Sequence, residues 1–523
     1  MHDITAGLTE VRHLIASRRG NEAYLKSRAL TSRHPGSTGA WSLLAWCALG
    51  LNRVAEALSA VDRAQAINGG RDPSTVLCRA ICLQRLGRVA EAIELLHAIV
   101  VTRLSSGWEY GQLGDVLARL ERYDLAATAY ANAVAAEPAD AHLHYNRATV
   151  QRFVGDLAGA EISCSEALRL RPHDPDALYV RSGLSRQSRE RNHVQELLEA
   201  RGEARMPRDI SSIEYALAKE YEDLGDFDAA FQAMTRAGAV RRAHMQYDVA
   251  HDEAIIDAII QAFRPALLSA QPRSLSTDEP IFIVGMPRTG TTLLERMLCN
   301  CPQIRRAGER ADLGALVTAL ARRRAGGRLS NALETVRESL LIDHSELGRH
   351  YVASVNAGHE SGARFIDKFP LNYLYIGLIH LALPQACVVH MARDPMDTCL
   401  AIYKQRFEDA HPYSYDLDDL GRYFIAYRKL MRHWRETLSD RILDVSYEEL
   451  VRDPEGTAAK VFSHCGLTYV PAYASATAQD HAITTASAVQ ARRAVYTSSV
   501  GAWRNYERHL GPLFERLRRA NVC

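Results

Sequence analysis

Alanines recur through the first half of this chain at 23, 57, 92, 126 and 160, in steps of 34, 35, 34 and 34 residues. A spacing that regular is an internal repeat. A repeat of this length dictates architecture, because each unit is one supersecondary element that cannot bury its apolar face alone, so the units must stack. Seven residues after the later four alanines come Ala64, Ile99, Ala133 and Ala167, and prolines at 35, 138 and 172 each fall twelve residues after an alanine. After a break, Gly225-Asp226-Phe227 with Ala230 and Ala237 restores the phase 70 residues beyond Ala160 and Ala167.

The fullest unit carries Tyr110, Leu113, Gly114, Tyr123, Ala126, Tyr130, Ala133 and Pro138. It resembles the tetratricopeptide repeat, a helix–turn–helix whose small positions let two helices touch closely. The resemblance covers roughly residues 5–245 and is degenerate between about 177 and 207. It implies an all-α array over 1–262 with a concave inner surface. Two uses of that surface stay open: a scaffold or homodimer interface, and a groove that holds a polypeptide and presents it to the second half.

With 63 Lys+Arg against 62 Asp+Glu, the 523-residue chain carries a formal charge of +1. Such a balance gives no global attraction to nucleic acid or to an anionic membrane, so any polyanion site is local. No window offers the ~18 uncharged apolar residues of a membrane span. Asp3, Glu10 and Arg12 interrupt any secretory pattern in the first twenty residues. The ten cysteines are scattered through apolar stretches, which reads as reduced thiols in a cytoplasmic protein. Neither Cys299-Asn300-Cys301 nor Cys78/Cys82 has a second pair at zinc spacing, so no metal is expected.

Residues 263–279 contain Pro265 and Pro272 with no helical period and read as a linker to a second domain over 280–523. Ile281-Phe282-Ile283-Val284 is an apolar run suited to a buried parallel strand. Gly285-Met286-Pro287-Arg288-Thr289-Gly290-Thr291-Thr292 follows, then a helical period. Strand, glycine-bounded loop and helix form a phosphate cradle of backbone amides. A nucleoside-triphosphate loop would place a lysine where Thr291 stands; here the cation is Arg288, inside the loop. That lysine normally reaches the β/γ phosphates, so its absence argues against ATP or GTP hydrolysis. A tetrahedral anionic group beside a single nucleotide phosphate fits better.

The segment from Pro280 to Leu294 resembles the 5′-phosphosulfate loop of sulfotransferases that use 3′-phosphoadenosine 5′-phosphosulfate (PAPS), and the likeness extends over about 280–512. Ala386–Ala392 reads as a second buried strand running into Arg393-Asp394-Pro395, similar to the family's 3′-phosphate segment. There, an arginine at the strand end and a serine eight residues on grip the phosphate. Arg393 matches, but the later position is Ala401, so one hydroxyl contact is missing. The family closes a basic, hydroxyl-bearing segment over the nucleotide, which implies roles for Ser499 and Arg504 within 496–504. Val445-Ser446-Tyr447-Glu448 resembles the strand end whose tyrosine packs on adenine, which implies Tyr447.

Among branches, the tyrosylprotein sulfotransferases and bacterial proteins joining tetratricopeptide repeats to a sulfotransferase domain are nearest. Ala307-Gly308-Glu309-Arg310 is similar to the segment carrying that branch's catalytic base, and Phe365–Pro370 to its lysine-bearing stretch. The resemblance implies a mostly parallel three-layer α/β domain that transfers a sulfuryl group from PAPS to an acceptor hydroxyl.

Such transfer must stabilise charge on the departing oxygen and on the sulfuryl oxygens while the acceptor proton is removed. Lysine, arginine and backbone amides suffice for this without a metal. The expected donor contacts are Pro287, Arg288, Thr289, Gly290, Thr291 and Thr292 on the phosphosulfate, Lys368 on the leaving oxygen, and Arg393, Tyr447, Ser499 and Arg504 on the nucleotide. Glu309 is the expected general base, with Arg288 and Lys368 the other catalytic groups.

Histidine serves as base in other branches, so His344, His380 and His390 are alternatives, although His390 reads as a core residue. Arg322-Arg323-Arg324 before Gly326-Gly327 reads as a helix end or as a lid for an acidic acceptor. The leading acceptor is a protein tyrosine; a saccharide or small hydroxyl compound is the alternative. A magnesium-dependent kinase using Asp394, and a repeat scaffold with a degenerate transferase domain, are the rival readings.

Overall fold

The computed structural model describes residues 2–17, 19–268, 280–356, 364–475 and 497–523. Most of the expected linker and Tyr496 lie outside them. The chain divides into two compact units, one of residues 1–154 with 158–171, the other from 172 onward.

The first unit is helical, running from His2–Ala16 to Leu157–Leu170. Every phased position is buried. Ala23, Ala57, Ala92, Ala126 and Ala160 have no exposed surface, and Ala64, Ile99, Ala133 and Ala167 expose 3 % or less. At each unit the paired helices touch through these small residues. Gly114 shows why size matters, since a Cβ there would lie 2.7 Å from the Tyr130 ring.

A second period, invisible as a residue type, accompanies the first. Five residues before Ala57, Ala92, Ala126, Ala160 and Ala230 the backbone turns left-handed, at Asn52, Gly87, Glu121, Gly155 and Gly225. That conformation joins the two helices of each repeat, and glycine occupies it in three of five cases because it carries no Cβ penalty.

The second unit begins with helices Pro175–Leu184, Val194–Glu203, Pro207–Asp223, Phe227–Arg242 and Val249–Ala262. In it, Ala230 and Ala237 are again fully buried, as the restored phase requires. Five strands follow: β1 (Ile281–Gly285), β2 (Ile304–Gly308), β3 (Arg364–Asp367), β4 (Cys387–Ala392) and β5 (Ile442–Ser446). They form one parallel sheet in the order β2-β3-β1-β4-β5.

All five β1 residues are buried, as a central strand covered on both faces demands. Ile281 and Ile283 join helices Thr291–Leu298 and Pro454–His464 in one core. On the opposite face Phe282 stacks on Tyr351 of helix His344–Asn356 (5.8 Å). The result is the expected three layers.

The helices before 263 are continuous with this core. Phe263 is 2 % exposed, with its ring so close to Gly377 that a Cβ there would lie 2.4 Å away. It also meets Trp434 edge-on at 5.8 Å. Gly238 packs against the Tyr415 carbonyl in the same way.

Candidate functional site

Parallel strands place all their C-terminal ends on one edge, and the chain reverses direction across the sheet between β3 and β4, either side of β1. Crevices at such a reversal are where open α/β sheets bind ligands. Each strand delivers one expected residue to that edge: Arg288 after β1, Glu309 after β2, Lys368 after β3, Arg393 after β4 and Tyr447 after β5.

The turn after β1 is shaped by two glycines. Gly285, at φ 150°, lies where a Cβ would come within 2.5 Å of the Met391 carbonyl on β4. At Gly290, φ 97°, a Cβ would sit 2.6 Å from Tyr447 Cδ2. Between them Arg288 takes φ 68°, and the buried Thr289 donates its hydroxyl to the Met286 carbonyl at 2.8 Å. Pro287 is buried beside it. Thr291 and Thr292 then open helix Thr291–Leu298, whose first-turn amides point out of the helix toward the loop.

Lys368 and Glu309 are bonded to each other, Nζ donating to Oε1. The lysine is fully buried, whereas the Glu309 side chain is 38 % exposed. An ammonium removed from water needs such a partner. The expected base and the expected leaving-oxygen cation are thus neighbours, brought together by adjacent strands β2 and β3.

Arg393 ties three segments together. Its Nη1 donates to the Arg288 carbonyl (3.1 Å) and its Nη2 to the Ser499 carbonyl (2.6 Å). The guanidinium lies over the Tyr447 ring at 4.7 Å. Its Nε is buried without a hydrogen-bond partner among the described residues. Tyr447 in turn bonds its hydroxyl to Ser499 Oγ (2.7 Å).

Asp397, 2 % exposed on helix Pro395–Tyr403, fixes the C-terminal segment by accepting from the Gly501 and Trp503 amides (2.6 and 3.0 Å). Arg504 stands apart. It is exposed, lies over Trp503 (5.1 Å), and lines a depression with Asp226 and Asp228.

Near Ala401, hydroxyl groups come from elsewhere: Ser499, and Thr398, which turns its proton to the Asp394 carbonyl (2.8 Å). Asp394 caps its own helix by accepting from the Asp397 amide (2.9 Å). Burial raises its carboxyl pKa.

The three alternative histidines are occupied. His390 is fully buried between Asp444 and Tyr427, and desolvation lowers its pKa. His380 and His344 each bond a backbone carbonyl, of Leu268 (3.0 Å) and Ser339 (3.1 Å). The histidine that does face Glu309 is His411, which the sequence gave no reason to single out. Burial lowers its pKa to about 4, against a weaker opposing pull from the Glu309 carboxylate.

Arg323 and Arg324 of the basic run pair with Glu346 and Glu338 at the end of their helix. Among the described residues no group of three or more His, Cys, Asp or Glu is arranged to hold a metal ion, and no helix is long and apolar enough to cross a membrane.

This geometry agrees with what the chain is similar to. Residues 280–471 match the sulfotransferase family, and residues 8–73 and 112–175 match the tetratricopeptide repeat. The chain therefore carries a sulfotransferase-family domain joined to tetratricopeptide repeats. An uncharacterised protein of Aquifex aeolicus is 29 % identical over 59 % of this chain and 41 % of its own length. A protein-tyrosine sulfotransferase of Drosophila melanogaster is 26 % identical over 35 % of this chain and 36 % of its own. The chain thus spans well under half the length of both. Among solved structures, the sulfotransferase domain of the Synechococcus PCC 7002 olefin synthase aligns over 45 % of this chain and 91 % of its own, at 18 % identity and a TM-score of 0.33.

Proposed function

We propose that the second unit moves a sulfuryl group from PAPS to an acceptor hydroxyl, that the acceptor is a tyrosine of a polypeptide, and that the repeats bind that polypeptide. The observation that carries this reading is the gathering of Arg288, Glu309, Lys368, Arg393 and Tyr447 at one sheet edge from five separate strand ends. The similarity to a protein-tyrosine sulfotransferase supports the choice of tyrosine.

The donor supplies an activated sulfuryl group on a phosphate. The residues present fit such a molecule in two respects. The Gly290 cradle is closed to any side chain, which favours backbone amides facing an anion. The Arg393 guanidinium keeps a buried, unbonded Nε beside an aromatic face. Arg288 and the amides of 289–292 hold the 5′ end. Arg393 and Ser499 hold the 3′ phosphate, Tyr447 packs on the base, and Arg504 adds charge at the rim. Lys368 stabilises the oxygen that departs. Glu309, exposed on its outer side, takes the acceptor proton.

Calorimetry with 3′-phosphoadenosine 5′-phosphate (PAP), followed by transfer of labelled sulfate to an acidic tyrosine peptide, tests the reading. Micromolar binding that Arg393→Ala weakens is the expected result. No binding at about 100 μM would remove the donor and with it the activity.

A further inference from the structure

The loop between helix Pro395–Tyr403 and the short turn Pro412–Tyr415 is held almost residue by residue by the helices that precede the sheet. Lys404 pairs with Glu222 (2.5 Å), Gln405 donates to the Tyr179 hydroxyl (3.0 Å), and Arg406 bonds Asp176 (2.9 Å) and Ser212. Asp409 pairs with Arg241. So dense a brace fixes whatever the loop displays. It also holds a strained backbone, for Glu408 and His411 take φ 54° and 55°, a region that non-glycine residues enter only when surroundings impose it.

What the loop displays is an aromatic wall ending at His411. Phe407 meets the imidazole edge-on (4.8 Å), and Tyr413 bonds Nδ1 (2.9 Å) while stacking on Tyr423 (3.8 Å). Burial keeps the Tyr413 phenol protonated. Among the described residues its hydroxyl has no other acceptor, so Tyr413 donates to Nδ1. The proton of the neutral ring is then on Nε2, which has no partner among the described residues.

Resting on the sulfotransferase reading above, we infer that His411 is an acceptor-binding residue: its Nε2–H donates to the acceptor's phenolic oxygen while Glu309 removes that oxygen's proton. A neutral donor suits this position. It stabilises the oxygen as negative charge grows there, without competing with Lys368 for the Glu309 carboxylate. Phe407 and the imidazole supply the flanking aromatic surface. The helices of 175–242 are thereby part of the acceptor site, through the loop they hold.

The test uses the full chain saturated with PAP and 4-nitrophenol as the phenol, with binding followed by calorimetry. His411→Ala should weaken phenol binding roughly tenfold while PAP affinity stays unchanged. His411→Asn, which tolerates the left-handed backbone and retains an N–H donor, should fall between. Asp176→Asn combined with Tyr179→Phe loosens the brace without touching the site and should also weaken the phenol alone. Phenol affinity indifferent to His411, no phenol bound by the unaltered chain at about 10 mM, or loss of PAP affinity in step with that of the phenol would each overturn the inference. Failure of PAP itself to bind would instead condemn the donor reading beneath it.

Discussion

Lys368 is a fully buried cation bonded to a half-exposed carboxylate, and that asymmetry sets different outcomes for the two partners. Lys368→Met removes a charge already out of water, so the fold should survive. If the lysine stabilises the departing oxygen, turnover should drop about 10²–10³-fold in a labelled-donor assay. Glu309→Gln keeps a hydrogen-bond acceptor for the lysine, so PAP affinity measured by calorimetry should hold while turnover falls.

One position away, Asp367 is wholly buried and accepts from Tyr351 (2.5 Å) and the Phe369 amide (2.9 Å). Desolvation nevertheless outweighs these bonds and raises its pKa to about 6. A carboxyl whose folded pKa lies above its unfolded value adds stability below the unfolded value, and that contribution is lost as pH rises through the folded one. Urea midpoints should therefore fall from about pH 4 to about pH 7 by more in the unaltered protein than in Asp367→Asn. Parallel curves would show that the carboxyl is not perturbed.

The five strand-end residues were legible because each belongs to a short local segment. His411 was not, because its meaning lies in Glu309, a hundred positions earlier in the chain.

Among the elements, β1 and β4 announced themselves as unbroken apolar runs, whereas β2 did not. Its Ile304-Arg305-Arg306 start looks like surface. The structure shows why it is tolerated: Arg306 bonds the buried Glu295 (3.0 Å), and Arg305 bonds Asn356 (2.8 Å) while lying over Phe365. Both arginines are satisfied by residues outside the strand, at its edge position in the sheet.

The C-terminal segment raises the same problem of distance. Sequence suggested that it closes over the nucleotide, but the residue that fastens it, Asp397, sits about a hundred positions upstream and reads as an ordinary helix-start acid. Asp397→Ala should release Gly501 and Trp503 together, and with them the Ser499 contacts to Arg393 and Tyr447. PAP affinity should then fall about tenfold or more, and limited proteolysis should cut near 500 first. Unchanged affinity would mean that the segment does not help hold the nucleotide.

For the whole molecule, the repeat period predicts stacking without saying where one compact body ends. The helices of 175–262 keep the repeat's buried alanines, yet they pack into the same unit as the sheet. The ion pairs that join them, such as Arg422–Glu253 and Lys429–Asp257, are partly exposed and worth about 0–1 kcal/mol each. Apolar burial decides instead. Phe263 against Trp434, Tyr215 against Tyr415, and Phe227 with Phe231 against Tyr506 all cross from these helices to the later chain. Each fully buried large side chain contributes about 1.5–3 kcal/mol, so uncovering several at once removes a large share of a typical net stability of 5–15 kcal/mol.

We accordingly expect a chain starting at Pro172 to fold, to unfold in urea in one transition and to bind PAP like the full chain. A chain starting at Pro280 should be insoluble or lack a cooperative transition. If the shorter chain folded and bound PAP with full affinity, the helices of 175–262 would be accessories to the transferase domain, and their brace on the 404–411 loop would have to be dispensable for the donor site's architecture.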